Sequence, residues 1–288
     1  MSILVDQQTR VLVQGIATAD GLAYVQNMVA AASTIVAGAA FGLGGTWCGS
    51  IPVFDTVKEA VRATDANAAV VCGRGGEAAE AILEAADAEM ALIVCMPTDV
   101  PVHDMVLVKA RLRNTPVCLI GPGSHGVCSP GKSNVGIIPP YMVRPGSVGI
   151  VSRSGSLAYE VTWMLTQAGI GQSTILSIGG GLVVGSGFAE ILAMFEEDPA
   201  TEQVVLIGEI GGQQEEMAAR FVADRMSKPV TAFVTGQTAP PGRQMGHAGP
   251  VIEELAGTAR YKTEVLKQSG VRVARYADEL PGLLVERM

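Results

Sequence analysis

Three short stretches carry residue types suited to phosphoryl chemistry. RQMGHAGPV (Arg243 to Val251) places His247, one of only three histidines, among glycines. GEIGG places Glu209 at the end of the apolar run QVVLI, and SRSGS places Ser154, Gly155 and Ser156 before the helical pattern SLAYEVTWMLTQ. A neutral imidazole attacks phosphorus when one nitrogen is unprotonated and the other is held by an acceptor. A carboxylate such as Glu209 supplies that acceptor and stabilises the positive charge of a forming N–P bond. Backbone N–H groups and hydroxyls at a helix start form a phosphate cradle. Each stretch also has a plainer reading. SGS can be only a helix cap, GEIGG only a tight turn, and His247 only a turn residue.

What unites the three is the pattern of elements around them. VLVQG, TIVAGA, AAVVCG, ALIVCM and PVCLIG read as buried strands, and GLAYVQNMVAAA, TVKEAVRAT, EAAEAILEAADA and HDMVLVKARLR as helices between them. Continuous apolar strands alternating with amphipathic helices predict right-handed βαβ units on a parallel sheet. The pattern lapses in GVCSPGKSNVGIIPPYMVRPG, which reads as a linker over 126–147 between domains at 1–125 and 148–288. A second alternating series follows: SVGIVS, STILSIGG, QVVLIG, PVTAFVTG and VRVARY as strands, with helices in the intervals. The predicted class is α/β with two doubly wound domains. SRSGS, GEIGG and the His247 segment all leave strand ends, so they should open on one sheet edge.

Composition narrows the partners. The formal net charge is −8 with no basic run, which argues against nucleic acid or an anionic membrane. The five cysteines form no CxxC pair and are odd in number, which reads as reduced core thiols of a cytoplasmic protein, with no protein metal site. No signal peptide or membrane-length apolar stretch is read.

VGIVSRSGSLAYE, GEIGG, TAPPGRQMGHAG and the opening MSILVDQQTRVLVQGI resemble, in order and spacing over nearly the whole chain, the succinyl-CoA synthetase (succinate–CoA ligase) alpha-subunit family. The resemblance implies a Rossmann-like CoA-binding domain followed by a flavodoxin-like ligase domain. It implies that His247 matches the phosphorylated histidine, Glu209 its acidic partner, and Ser154, Gly155 and Ser156 the turn that holds the phosphohistidine. It also implies a β subunit of ATP-grasp fold, supplying the ATP or GTP site and Mg²⁺, and a small carboxylic acid as substrate.

The departures fall on the loops where CoA should bind. After Gly15, the family's glycine loop becomes GIATADG, with Thr18 for a glycine, Asp20 near the expected phosphates and Gly21 retained. Leu43 stands for a lysine, PTD at Pro97 to Asp99 for TEG, and PGSHG, starting Pro122–Gly123, for PNCPG. Arg74 in CGRGG is placed to supply a substitute cation. In SIGGGLVVGSGF, Gly181 replaces an aspartate common in relatives, and Ser186, Gly187 and Phe188 are expected to line the acid site; Arg220 reads either as a surface helix arginine or as reaching toward the same edge. Two functions therefore stand side by side. One is an NTP-dependent acid–thiol ligase subunit working through phosphohistidine and acyl phosphate. The other is a divergent paralogue with altered or lost CoA binding, using another acceptor or acting as a non-catalytic partner.

Overall fold

The computed structural model describes residues 2–240 and 257–286. The chain divides into two compact units, one of residues 4–140 with 183–185, the other of residues 1–3, 141–182 and 186–288.

In the first unit, strands β1 (Arg10–Gln14), β2 (Thr34–Ala39), β3 (Trp47–Cys48), β4 (Ile51–Phe54), β5 (Ala68–Val71), β6 (Leu92–Cys95) and β7 (Cys118–Ile120) form one sheet, in the order β3-β4-β2-β1-β5-β6-β7. Only the β3–β4 pair is antiparallel. Helices α1 (Ala19–Ala30), α2 (Val57–Thr64), α3 (Gly75–Asp87) and α4 (Val102–Leu112) make the crossovers. From β1 the chain winds first to β2 and then back to β5 on the other side, so the switch point lies between β1 and β5. The crevice above such a point is where open α/β sheets bind ligands.

Residues 126–147, read from the sequence as an aperiodic linker, are structured. They contain an antiparallel hairpin, β8 (Gly126–Ser129) and β9 (Ser133–Gly136), and the start of the next strand. All eight hairpin residues are buried, so the period-two signal of a half-exposed strand never arises. Asn134 ties β9 to α1: its Nδ2 donates to Asn27 Oδ1 at 3.2 Å, and its carbonyl accepts from Ser33 Oγ at 2.8 Å.

The second unit has β10 (Pro145–Ser152), β11 (Gln172–Ser177), β12 (Gln203–Gly208), β13 (Val230–Val234) and β14 (Arg272–Ala274), all parallel, in the order β14-β13-β12-β10-β11. Helices α5 (Gly155–Gln167), α6 (Phe188–Glu197), α7 (Gln214–Arg225), α8 (Ala259–Gln268) and α9 (Leu280–Val285) cover it. Helix α6 packs on α7 and α7 on α8, while α5 meets α9, so both faces of the sheet are covered. That double covering is why β11 and β12 are buried at every position and read as continuous apolar runs. The switch point here lies between β10 and β12.

Candidate active site

The register of the second sheet brings two predicted residues together. Ser152 pairs with Ile207, so Ser154 and Glu209, each two residues further on, leave adjacent strands in the same row at the switch point. Ser154 caps α5: its Oγ accepts from Leu157 N at 3.3 Å. Gly155 and Ser156 supply the first-turn N–H groups, with Gly155 buried and Ser156 exposed. Cap and anion cradle are thus compatible, because the cap satisfies Leu157 N and leaves the earlier donors. Glu209 is 4% exposed, and its N–H donates to Glu215 Oε1 at 2.9 Å.

His247 lies outside the described residues. The chain on either side of it is anchored to the Glu209 loop. Thr235 N donates to Gly208 O at 3.0 Å, and Gly211 N donates to Gly257 O at 2.7 Å.

Beneath these loops sits a charged cluster that the motifs did not reveal. Arg153 is 2% exposed and reaches from the β10 exit to Gly211 O and Gly180 O, each at 3.0 Å. It also lies 3.9 Å from Glu215 Oε1. Lys262, fully buried on α8, contacts Glu215, Glu216 at 3.1 Å and Gly212 O at 3.0 Å. Two cations and two carboxylates therefore lock the loops after β10, β11 and β12 to the start of α8. Burial of Arg and Lys is rare without such pairing, and full burial of Lys262 demands the partners it has. The only sequence signal was an arginine inside the small-residue stretch VSRSGS.

The expected acid-site residues diverge. Gly187 caps α6, with its N–H on the Glu190 carboxylate, and an added Cβ would meet Gln214 Oε1 at 2.4 Å. Ser186, beside it, is half-buried. Phe188, expected to line the acid site, is fully buried as the first inward-facing position of α6. Arg220 is exposed on α7, in the second turn of that helix.

In the first unit the predicted residues gather at the carboxyl ends of the strands. Gly15 adopts φ +74° at the β1–α1 turn, and Gly21 packs so closely that a Cβ would sit 2.3 Å from Gly15 O. These two glycines keep helix and turn in contact. Thr18, which stands where the family has a glycine, has a definite structural task. Its hydroxyl accepts from Gly21 N at 3.0 Å and donates to Gly15 O at 2.8 Å, capping α1. Asp20 lies in the first turn of that helix. Asp20, Pro97 and Gly123 share a small cavity of about 200 Å³ with Tyr24, Ser124 and His125. The Tyr24 hydroxyl is held above its ordinary pKa by burial and then by the Asp20 charge. Cys72, just after β5, is pushed up to about 12 by burial, then by Asp20 and Cys95. Arg74 is exposed at the N-cap of α3 without a side-chain cap, and Leu43 is 40% exposed in the turn after β2. A larger cleft of about 580 Å³ opens over β1, β2 and β5, at the switch point.

Comparison with known proteins sorts these features. The CoA binding domain family model matches residues 6–98, and the CoA-ligase family model matches residues 151–272. The chain is 47% identical over 286 residues to succinate–CoA ligase [ADP-forming] subunit alpha 2 of Archaeoglobus fulgidus, covering 99% of each. The chain belongs to the succinate–CoA ligase alpha-subunit family. The Staphylococcus aureus alpha subunit is 44% identical over 286 residues, covering 99% of this chain and 95% of that one. Among solved structures, ATP citrate lyase from Methanothrix soehngenii in complex with citrate and coenzyme A matches with a TM-score of 0.86 and 25% identity. The alignment takes in 99% of this chain and 51% of that one, so this chain spans about half of that longer protein.

As an alpha-subunit family member, the chain has a first unit that fits CoA in part. The Gly15–Gly21 turn and the open start of α3 at Gly76, where a Cβ would meet nothing within 4 Å, suit a diphosphate. The large cleft does not suit a further phosphate: four carboxylates line it and, among the described residues, no lysine or arginine does. No helix among the described residues is long and apolar enough to cross a membrane.

Proposed function

We propose that this chain is the alpha-type subunit of an NTP-dependent acid–thiol ligase that carries a phosphoryl group on His247. A partner β subunit of ATP-grasp fold holds the ATP or GTP and its Mg²⁺. An imidazole nitrogen of His247 attacks the terminal phosphorus, the P–O bond to the nucleoside diphosphate breaks, and an N–P bond forms. Glu209 accepts a hydrogen bond from the other ring nitrogen and stabilises the imidazolium character. The α5 start at Ser154, Gly155 and Ser156 receives the phosphoryl oxygens. The carboxylate of a small acid, succinate or a related dicarboxylic or hydroxy acid, then attacks phosphorus. The N–P bond breaks and an acyl phosphate forms. An acceptor thiol displaces inorganic phosphate from its carbonyl carbon. Splitting the transfer lets nucleotide and acid occupy separate sites.

The observation that supports this reading most is the register pairing of the Ser154 and Glu209 strand exits, with the His247 segment tethered at both ends to the Glu209 loop. The test is incubation of the chain and its β subunit with γ-labelled ATP. Acid-labile, base-stable label on the chain, abolished by His247→Asn, is the expected result. Equal label in the asparagine variant removes His247 from the mechanism.

A further inference from the structure

Two backbone anion positions on the rim of the large cleft of the first unit are already occupied by carboxylates of the chain itself. The turn after β2 presents the N–H groups of Gly42 and Gly44, a concavity that receives oxyanions in other loops. Both donate instead to Asp55 Oδ1, at 2.7 and 3.0 Å. The start of α2 is filled in the same way: Val57 N donates to Glu84 Oε1 at 2.9 Å. Glu77, Glu80 and Glu84 recur at helical spacing on α3 and all line the cleft. Among the described residues, no lysine, arginine or histidine lines it. The fourth feature is an acceptor in want of a donor. Gln14 is 5% exposed at the end of β1, and its Nε2 donates to Ala81 O at 3.0 Å and Glu84 Oε2 at 3.1 Å. Its buried Oε1 has no partner among the described residues.

A ligand suited to this cleft brings hydroxyl or amino donors to Gln14 Oε1. A phosphate monoester brings only acceptors and close to two negative charges near neutral pH, among carboxylates with no cation to offset them. CoA carries such a group at its ribose 3′ position. The match of residues 6–98 to the CoA binding domain places all the lining residues named here inside the region concerned. We infer that this cleft selects an acceptor thiol whose nucleoside end carries a free hydroxyl in place of the 3′-phosphate. The diphosphate remains compatible, because the open start of α3 at Gly76 offers it backbone N–H groups beside Glu77. The inference rests on the acid–thiol reading of the chain and specifies its acceptor.

The test is calorimetric titration of the full chain with CoA and with dephospho-CoA, repeated on Glu77→Gln/Glu80→Gln. Both glutamates are exposed, so the fold tolerates the change. The expected result is dephospho-CoA binding as tightly as CoA or tighter, with the double variant improving CoA severalfold and leaving dephospho-CoA within twofold. CoA binding tenfold or more tighter than dephospho-CoA overturns the inference, as does a double variant that leaves the ratio unmoved. Binding of neither compound overturns it too. Phosphorylation of His247 is read separately with labelled ATP. Label together with a CoA preference sinks only this inference, whereas no label with a dephospho-CoA preference sinks only the phosphohistidine reading.

Discussion

Lys262 Nζ lies 3.0 Å from Gly212 O while the same ammonium is held by the carboxylates of Glu215 and Glu216. One buried cation thus binds both the carbonyl of the loop after Glu209 and the first turn of α7. Since Glu215 also accepts from Glu209 N, the position of Glu209 depends on a group two contacts away.

Removing that cation leaves Glu215 buried beside Arg153 alone. Breaking one side of a buried pair costs about 3–5 kcal/mol, because the remaining charge is uncompensated. Lys262→Met should therefore lower the unfolding free energy by that order in urea titrations. Adding Glu215→Leu should recover part of the loss, since it removes the orphaned charge. A double variant less stable than the single one would show that the cluster is not a charge pair in the energetic sense.

Glu209→Gln separates chemistry from architecture. The backbone N–H of residue 209 keeps its bond to Glu215, so the melting temperature should stay within a few degrees. The phosphorylation rate of His247 should fall about 10²-fold, the lower range for loss of a positioned acid–base group. Ser154→Ala should act in the opposite proportion. Loss of an N-cap costs about 1 kcal/mol of stability, whereas Gly155 and Ser156 keep their N–H donors and the transfer rate changes little. Quench-flow labelling alongside thermal melts reads both.

Two glycines predict opposite outcomes. A Cβ on Gly21 would lie 2.3 Å from Gly15 O, backbone that cannot yield without opening the β1–α1 turn. Gly21→Ala should destabilise by about 1–3 kcal/mol. Gly76 has open space around its missing Cβ and lies in the first turn of α3. Gly76→Ala should stabilise by about 0.4–1 kcal/mol through the unfolded chain. Calorimetric melts of the two variants decide the matter.

Most of this fold was legible because buried parallel strands announce themselves. TIVAGA, AAVV, LIVC, QVVLIG and VTAFV are apolar on both faces, and each is a strand. The missed elements lack that signature. β3 and β4 lie in GTWCGSIPVF, where two-residue and proline-containing strands give no period. The hairpin strands at 126–129 and 133–136 are built of Gly, Ser, Cys, Val and Asn with no exposed face. The strand exits were legible from the motifs, and register then set Ser154 and Glu209 each two residues beyond the Ser152–Ile207 pair. The Arg153–Glu215–Lys262 cluster was not, because its members come from three distant segments and only packing reveals their burial. The same holds for Asp55 and Glu84, whose meaning depends on which backbone N–H each carboxylate occupies. The burial of Phe188 was likewise not legible: it follows a glycine-rich loop, and helix phase places it in the core.

The buried thiols give the pH dependence a definite sign. Cys72, Cys95 and Cys128 are each raised from 9.0 to about 12, by burial first in every case. The folded state therefore keeps three protons that the unfolded chain releases above pH 9. Protons held by the folded form and lost by the unfolded one make stability fall as pH rises. This contribution is whole below pH 9 and is lost progressively between 9 and 12. Unfolding midpoints measured from pH 7 to 11 should be level to about 9 and then decline. At pH 8, iodoacetamide should label the partly exposed Cys48 well before these three, since the thiolate is the reactive form. Labelling of Cys72, Cys95 or Cys128 at the rate of Cys48, in protein shown by circular dichroism to be folded, would contradict the burial that raises their pKa values.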